Sequence, residues 1–413
     1  MEDQDIEIPQ YFLCPISLQI MKDPVTTLTG ITYDRDCIEN WLAKSTKSTA
    51  TCPVTKQPLP KDSGLTPNHT LLRLIQAWCV TNEKNGVDRI PTPKMQLDVA
   101  RVLRIVRDLK ADHLCLRTLK MLDELWSENE RNWACMAEAG VAEAMVPLII
   151  KFTREQRMDG LKESLRILNQ TWSSSRPELN LLVQENYDLV DALSWILQLD
   201  MGTDDTVPVK ANAATILKRI MEVARVTLLE RLKLETFKNI LKAMREIRTS
   251  QPGIKSILQV LIEACPWARN RSKILEAGAV FELIELELEK PEKRVSELTF
   301  NLLAQLCSCP DGRTQFLQHA GGIAMLAKRT LRVSPVVDDR AVYILTMISL
   351  YATNNVLREM LRVGAVSKLC MVLQADCTSH LKSKARSILR MHSNVWNNSP
   401  CITVYLLTRH AAR

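Results

Sequence analysis

From about residue 96 onward, apolar residues recur at helical spacing in segments that resemble one another. AEAGVAEAMVPLI (137–149), LEAGAVFELIEL (275–286), QHAGGIAMLAKR (318–329) and RVGAVSKLCMVL (362–373) share one layout. Each has a short helical lead, a glycine break, and a helix with apolar residues near the fifth and eighth positions after the break. YDLVDALSWIL (187–197) and RLKLETFKNIL (231–241) fit the same frame without the glycine. Anchored at Gly140, Asp188, Leu232, Gly278, Gly321 and Gly364, the frame recurs at intervals of 48, 44, 46, 43 and 43 residues. The preceding stretches LRTLKMLDELW, LKESLRILNQTW, VSELTFNLLAQLC and RAVYILTMISLY each predict a helix with a broad apolar face.

A period of roughly 40–47 residues built from two or three helices is the HEAT/armadillo signature. One such unit cannot bury its own apolar face, so neighbours stack into a superhelix with an extended groove. The pattern predicts about six units over residues 96–400, with 95–110 as a cap, 380–396 as the last helix and 401–413 as a tail. Each glycine is expected to let the chain turn sharply between a short and a long helix. The region resembles plant-type armadillo-repeat domains. Importin-type members of that fold carry a Trp-x-x-x-Asn ladder on groove-lining helices. The helices after the anchors here hold only Trp195, with Leu199 in place of the asparagine, so nuclear-signal binding is not expected. Trp126, Trp133, Trp172 and Trp267 are expected in the core.

Before residue 83 the pattern changes to short, turn-rich segments. A hairpin is predicted to turn at Thr29-Gly30, followed by a helix from about Asp36 with Asp34 as N-cap and Ile38, Trp41 and Leu42 on one face. A second helix is predicted over 68–79, capped by Asn68, with Leu71, Leu72, Ile75 and Trp78 inward. EKNGVDRIPTPK (83–94), with Asn85-Gly86 and two prolines, reads as a linker over 83–95. The predicted organisation is therefore a small α+β domain over 6–82, the linker, and a mainly α solenoid.

Charge is unevenly divided. Residues 1–95 hold ten Lys+Arg and eleven Asp+Glu, a net of −1; subtracting from the totals of 54 and 47 leaves 44 and 36 in the remainder, a net of +8. That excess suits acidic partners or phospholipid headgroups, or simply a solvated surface. No basic run with interleaved aromatics points to nucleic acid. The 12 cysteines, several inside apolar helical patterns (Cys115, Cys135, Cys307, Cys370), read as reduced thiols of an intracellular, cytoplasmic protein. MEDQDIEIPQ lacks the apolar centre of a signal peptide, and no run reaches the ~18 apolar residues of a membrane span.

Two stretches in the N-terminal domain carry the candidate chemistry. FLCPISLQIMKDPV (12–25) and TCPVTKQPL (51–59) each begin like half a zinc site, then place Ser17 or Thr55 where a second cysteine would stand. A cross-braced double zinc site needs eight ligands. This segment offers Cys14, Cys37, Cys52, Cys79 and His69, without a CxxC pair, so no metal and no cofactor is expected. The domain resembles a U-box, the zinc-free relative of the RING. The resemblance rests on Pro9-x-x-Phe12-x-Cys14-Pro15-Ile16-Ser17, Met21-x-Asp23-Pro24-Val25, Gly30-x-Thr32-Tyr33-Asp34-Arg35, Ile38-x-x-Trp41, Cys52-Pro53-x-Thr55 and Pro67-Asn68. Hydrogen bonds from Ser17, Asp23, Asp36, Glu39 and Thr55 are expected to brace the loops that metals brace in a RING. Cys14 reads as a structural thiol, not a nucleophile.

The resemblance implies a ubiquitin-protein ligase. It would bind a ubiquitin-conjugating enzyme carrying ubiquitin as a thioester and orient it for attack by a substrate lysine, with no covalent intermediate of its own. By that resemblance Ile16, Trp41 and Pro53 contact the conjugating enzyme. Lys56 stands where related domains often place a basic residue bridging that enzyme and ubiquitin, as a point charge and not the planar fork of arginine. Cys14, Pro15, Ser17, Asp23, Pro24, Val25, Cys52 and Thr55 hold the domain together. The repeats would select the substrate, with self-modification and self-association through the U-box. The resemblance extends to the short subgroup of plant U-box/armadillo ligases linked to elicitor and water-stress responses. The alternative is a non-catalytic armadillo scaffold that uses its U-box only for docking.

Overall fold

A computed structural model describes residues 8–44, 49–60, 64–83, 87–88, 97–128, 130–172, 177–200, 202, 206–396, 399–400 and 402–403. Most of the expected linker and tail lies outside these residues. The chain forms two compact units, Met1–Gln96 and Leu97–Arg413.

In the N-terminal unit, β1 (Pro24–Thr26) and β2 (Thr32–Asp34) form an antiparallel hairpin in which Val25 faces Tyr33. Gly30 takes φ +79° at its turn, a left-handed conformation that glycine adopts without a Cβ penalty. Helix α1 (Arg35–Lys44) follows at once, then β3 (Thr49–Thr51) paired with β4 (Pro58–Pro60). Strand β5 (Thr66–Pro67) joins the other edge of β1. Helix α2 (His69–Thr81) is capped by Asn68, whose side-chain oxygen accepts from the Leu71 N–H at 3.0 Å. Phe12, Cys14, Met21, Val25, Tyr33, Ile38, Cys52, Leu59 and Ile75 make one core.

The second unit opens with α3 (Val99–Asp108) and α4 (Asp112–Glu128). Six three-helix repeats follow among the described residues. The first is α5 (Glu130–Glu138), α6 (Val141–Arg154) and α7 (Leu161–Thr171). The second is α8 (Pro177–Val183), α9 (Tyr187–Gln198) and α10 (Thr206–Val223). The third is α11 (Val226–Glu230), α12 (Leu234–Glu246) and α13 (Gln251–Ala264). The fourth is α14 (Ala268–Glu276), α15 (Ala279–Leu288) and α16 (Lys293–Cys307). The fifth is α17 (Pro310–Gln318), α18 (Gly322–Arg329) and α19 (Pro335–Leu350). The sixth is α20 (Asn354–Arg362), α21 (Ala365–Gln374) and α22 (Ser379–Met391), and α23 (Ser393–Trp396) closes the array. The segment 380–396, expected as one helix, is thus two, broken at His392.

Each anchor sits at or within two residues of the start of a second helix of the repeat. Gly140, Gly278 and Gly364 have left-handed φ of 73°, 87° and 82°. Gly321 does not: its φ is −91°, so the expected left-handed turn is absent in the fifth repeat. There a Cβ on Gly322 would stand 2.9 Å from the Phe316 carbonyl oxygen, so close backbone approach takes over as the reason for glycine.

The third helices α4, α7, α10, α13, α16, α19 and α22 pack on one another along the whole unit. The second helices form a looser row beyond α12, and the third helices make a continuous row along the stack. Polar bonds hold neighbouring units in register: the Asn169 amide donates to Asn212 at 3.0 Å, and the Thr215 and Ser256 hydroxyls lie 3.2 Å apart. Trp195 lies on α9, a second helix, and therefore off the row of third helices. Among the third helices α4 carries Trp126, and α7, α10, α13, α16, α19 and α22 carry no tryptophan. Trp172 is buried, and Trp126 and Trp267 pack partly buried against the core. Trp133, expected in the core, is exposed and stacks on Trp126 with ring centroids 4.8 Å apart. Among the described residues no single helix is long and apolar enough to cross a membrane.

Candidate functional site

The two half-sites fold as two copies of one loop. In CPISLQ (14–19), the Cys14 N–H donates to the Gln19 carbonyl at 2.8 Å, and the Leu18 N–H to the Cys14 carbonyl at 2.8 Å. In CPVTKQ (52–57), the Cys52 N–H donates to Gln57 at 2.8 Å, and the Lys56 N–H to Cys52 at 3.0 Å. The fifth residue is left-handed in both, with φ 56° at Leu18 and 59° at Lys56. The hydroxyls of Ser17 and Thr55 accept from the N–H two residues on, at 3.4 and 3.5 Å. These bonds close their own loops, and the Ser17 hydroxyl also bonds the thiols of Cys14 and of Cys37 on α1.

The braces between elements include Asp23 and Glu39 of the expected polar set, through Arg35, and add thiols that were not in it. Cys52 Sγ lies 3.0 Å from the Tyr33 hydroxyl and accepts from the Thr29 hydroxyl at 3.3 Å and the Thr55 N–H at 3.4 Å. Cys14 Sγ accepts the Asp34 N–H at 3.3 Å. The Asp34 carboxylate was the expected cap of α1. It accepts instead from the Lys22 and Asp23 N–H groups at 2.9 and 2.8 Å, tying the end of the first loop to the start of the helix. Asp23 pairs with Arg35 at 2.5 Å, and Arg35 lies 3.8 Å from Glu39. Asp36, expected as a brace, is exposed at the outer side of the first turn of α1. Thiols and one strand therefore do the work of the metal: Tyr33 serves the second loop and Asp34 the first.

These contacts set the local electrostatics. Burial alone pushes the Cys52 thiol up, but donors from Thr29, Thr55 and Tyr33 outweigh it and bring its pKa from the ordinary 9.0 down to about 6. Burial and the neighbouring sulfur push the Tyr33 phenol well above its ordinary value, so it remains a donor. Cys14 is pushed up by burial but ends lowered, because the N–H groups of Ser17, Asp34 and Ile16 favour the thiolate.

The residues expected to meet a partner lie on this scaffold. Ile16 is half-buried against the core at the first loop. Pro53 is half-buried in the second. Trp41 was placed with Ile38 and Leu42 on one face, but those two are buried and Trp41 is 41% exposed. Its indole N–H donates to the Thr51 carbonyl at 2.9 Å, fixing the ring beside the start of the second loop. Lys56 folds back, its Nζ donating to the Pro53 carbonyl at 2.9 Å. Pro24 and Val25 are buried beneath, and Pro15 is exposed. Two further apolar side chains at the loop tips were missed: Leu18 and Val54, 74% and 50% exposed. Their signal was apolar residues in turns, where solvated side chains are the rule. The arrangement offers an apolar, shallow face with the Lys56 cation at its rim, and the Cys14 and Cys52 thiols are buried beneath it. Among the described residues no cluster of His, Cys, Asp or Glu is arranged to hold a metal ion.

Residues 8–84 match the U-box domain family, and residues 98–412 match the plant U-box protein ARM repeat region. The chain is 41% identical to the E3 ubiquitin-protein ligase PUB24 of Arabidopsis thaliana, covering 99% of this chain and 97% of that protein. It is 40% identical to PUB23 of the same plant, over 97% and 96% of the two chains. Among solved structures, one from a study of the cadherin–beta-catenin interaction aligns with TM-score 0.55 and 14% identity, over 78% of this chain and 58% of that one.

Proposed function

Because the chain belongs to the plant U-box ubiquitin-protein ligases that carry an ARM-repeat region, we propose a division of labour between its two units. The U-box binds a ubiquitin-conjugating enzyme through Ile16, Trp41 and Pro53, with Leu18 and Val54 widening the apolar face. The ARM unit holds the protein to be modified. The observation that carries this reading is Trp41: a large exposed indole locked by its own N–H to the loop that bears Pro53. An aromatic anchor already held in one orientation binds with little ordering cost.

The chemistry needs no covalent step on this chain. A substrate lysine amine attacks the thioester carbonyl, an amide bond forms to ubiquitin, and the conjugating enzyme's thiol leaves. The ligase restricts the charged enzyme to conformers in which that attack is in line, an effect that reaches several kcal/mol in well-oriented systems, about 7–11 at the limit. Lys56 leaves the Pro53 carbonyl and reaches toward ubiquitin at the rim. The same activity modifies the ligase itself, and U-box self-association would bring two copies together for it. We further propose that the ligase acts in the cytoplasm, in plant defence or stress signalling.

The test is a purified system of activating enzyme, conjugating enzyme, ubiquitin and ATP. Ubiquitin chains form with the native protein and fall by tenfold or more, an effect of about 1.4 kcal/mol, with Trp41→Ala and Ile16→Ala while circular dichroism stays unchanged. Chain formation that survives both folded variants would place the contact elsewhere. No chains with any of several conjugating enzymes would leave a docking scaffold.

A further inference from the structure

The N-terminal unit holds a pair of thiols that ubiquitin transfer does not use. Cys14 opens the first loop, and Cys37 lies in the first turn of α1. They stand 23 positions apart in the chain. The fold brings them into contact: the Cys37 S–H donates to the Cys14 sulfur. The Ser17 hydroxyl bonds both sulfurs. Cys14 is fully buried, whereas Cys37 is half-buried at the edge of the core, where water reaches it.

The two sulfurs are unequal. Burial opposes ionisation of Cys14, but the N–H groups of Ser17, Asp34 and Ile16 outweigh it; that of Asp34 lies 3.3 Å from the sulfur. Burial first, and then the Cys14 sulfur beside it, push the Cys37 thiol up. The sulfur within reach of a small solute is thus the weaker acid, and a buried base stands next to it. In the second unit, Cys265 and Cys307 are pushed up to about 12 by burial, which leaves them inert.

We propose that Cys14 and Cys37 form a peroxide-sensitive modification site, whose oxidation to a disulfide lowers ubiquitin transfer. Cys37 passes its proton to the Cys14 thiolate and attacks hydrogen peroxide. The O–O bond breaks, one oxygen stays on Cys37 as a sulfenic acid, and the other leaves as hydroxide, which the proton on Cys14 turns to water. The Cys14 thiolate then attacks the Cys37 sulfur, the S–S bond forms, and the sulfenic oxygen leaves as hydroxide and takes a proton from solvent. Two thiols and one peroxide give one disulfide and two waters. The disulfide removes the charge that the N–H groups of Ser17, Asp34 and Ile16 bond, and ties the loop bearing Ile16 to the helix bearing Trp41 in a new position. The two anchors of the partner face then no longer match one enzyme surface. The loss of transfer rests on the ligase reading; the disulfide does not.

The experiment treats the full chain with hydrogen peroxide, removes the peroxide, and divides the sample. One half is digested with trypsin without reductant and weighed by mass spectrometry. The other is added to activating enzyme, conjugating enzyme, ubiquitin and ATP, before and after dithiothreitol. Peptides 1–22 and 36–44, which carry Cys14 and Cys37, appear joined, two hydrogens lighter than their sum. Transfer falls about tenfold or more and returns with dithiothreitol. Cys37→Ser and Cys37→Ala, with circular dichroism unchanged, give no joined peptide and lose less than about twofold after the same treatment. The mass reading decides the disulfide even if the untreated protein transfers no ubiquitin, so this inference and the ligase reading fail separately. Peptides that remain apart, or Cys14 joined to another cysteine, overturn the proposal. So does a joined pair with full transfer, or an equal loss in the Cys37 variants.

Discussion

The Tyr33 hydroxyl and the Cys52 sulfur lie 3.0 Å apart in the interior of the N-terminal unit. One belongs to the hairpin and the other opens the second loop, so the contact holds that loop where Trp41 meets it. Removing the phenol oxygen leaves a buried sulfur one donor short. Tyr33→Phe is expected to destabilise the unit by about 1–2 kcal/mol, read from urea unfolding of the native protein and the variant. A cost indistinguishable from zero would remove Tyr33 from the brace.

The lowered Cys52 thiol makes stability depend on pH in one direction. Between about 6 and 9 the folded sulfur is ionised while the unfolded one is still protonated, so the unfolded state binds the extra proton and stability rises with pH. The contribution is fully present above pH 9 and is lost as pH falls through 6. Cys52→Ser lacks an ionisable group and should flatten this slope. Unfolding midpoints of the two proteins at pH 6 and 8.5 decide it; parallel slopes would assign the pH dependence elsewhere.

Lys56 sits at φ 59° with its amine on the Pro53 carbonyl. Arg at this position meets the same backbone strain but brings a planar fork of donors. Lys56→Arg should therefore raise the rate of ubiquitin transfer several-fold, roughly 1 kcal/mol of added orientation, without moving the melting temperature. Lys56→Ala should lower it. Equal rates for all three would show that the rim cation takes no part in transfer.

Lys210 is fully buried and pairs with Glu246, whose side chain keeps 31% exposure. The two halves of this pair are not equivalent. Glu246→Ala strands a buried ammonium and should cost about 3 kcal/mol, whereas Lys210→Met leaves a carboxylate that water still reaches and should cost less than about 1.5 kcal/mol. Denaturant titration of both variants checks the order. A reversed order would mean that Lys210 has another partner.

Arg386 and Arg390, on α22 at the end of the array, are exposed, so their charge reversals should barely affect folding. Arg386→Glu is expected to change stability by less than about 0.5 kcal/mol. A large loss in thermal unfolding would assign Arg386 a structural contact.

Much of this protein is decided by order along the chain. The six anchors mark second helices because a unit of this length cannot bury its apolar face alone, and periodic burial writes itself into the sequence. Asn68 as a cap and Gly30 as a turn follow from local chemistry. The repeated Cys-Pro-x-Ser/Thr-x-Gln signals two equal loops, and the missing cysteines exclude the double zinc site. What surrounds a side chain was not written there. Trp41 and Ile38 share a helical stripe, yet one is exposed and the other buried, since the second loop arrives from ten residues away to bond the indole. Asp34 stands where a cap belongs, but two N–H groups from the first loop claim its carboxylate. Trp133 finds Trp126 at the surface, where the array begins. The recess lined by Arg271 and Arg340 exists only once neighbouring repeats have stacked. Local pattern determines which elements form; distant segments converging in space determine which of their groups are satisfied, buried or left free to bind.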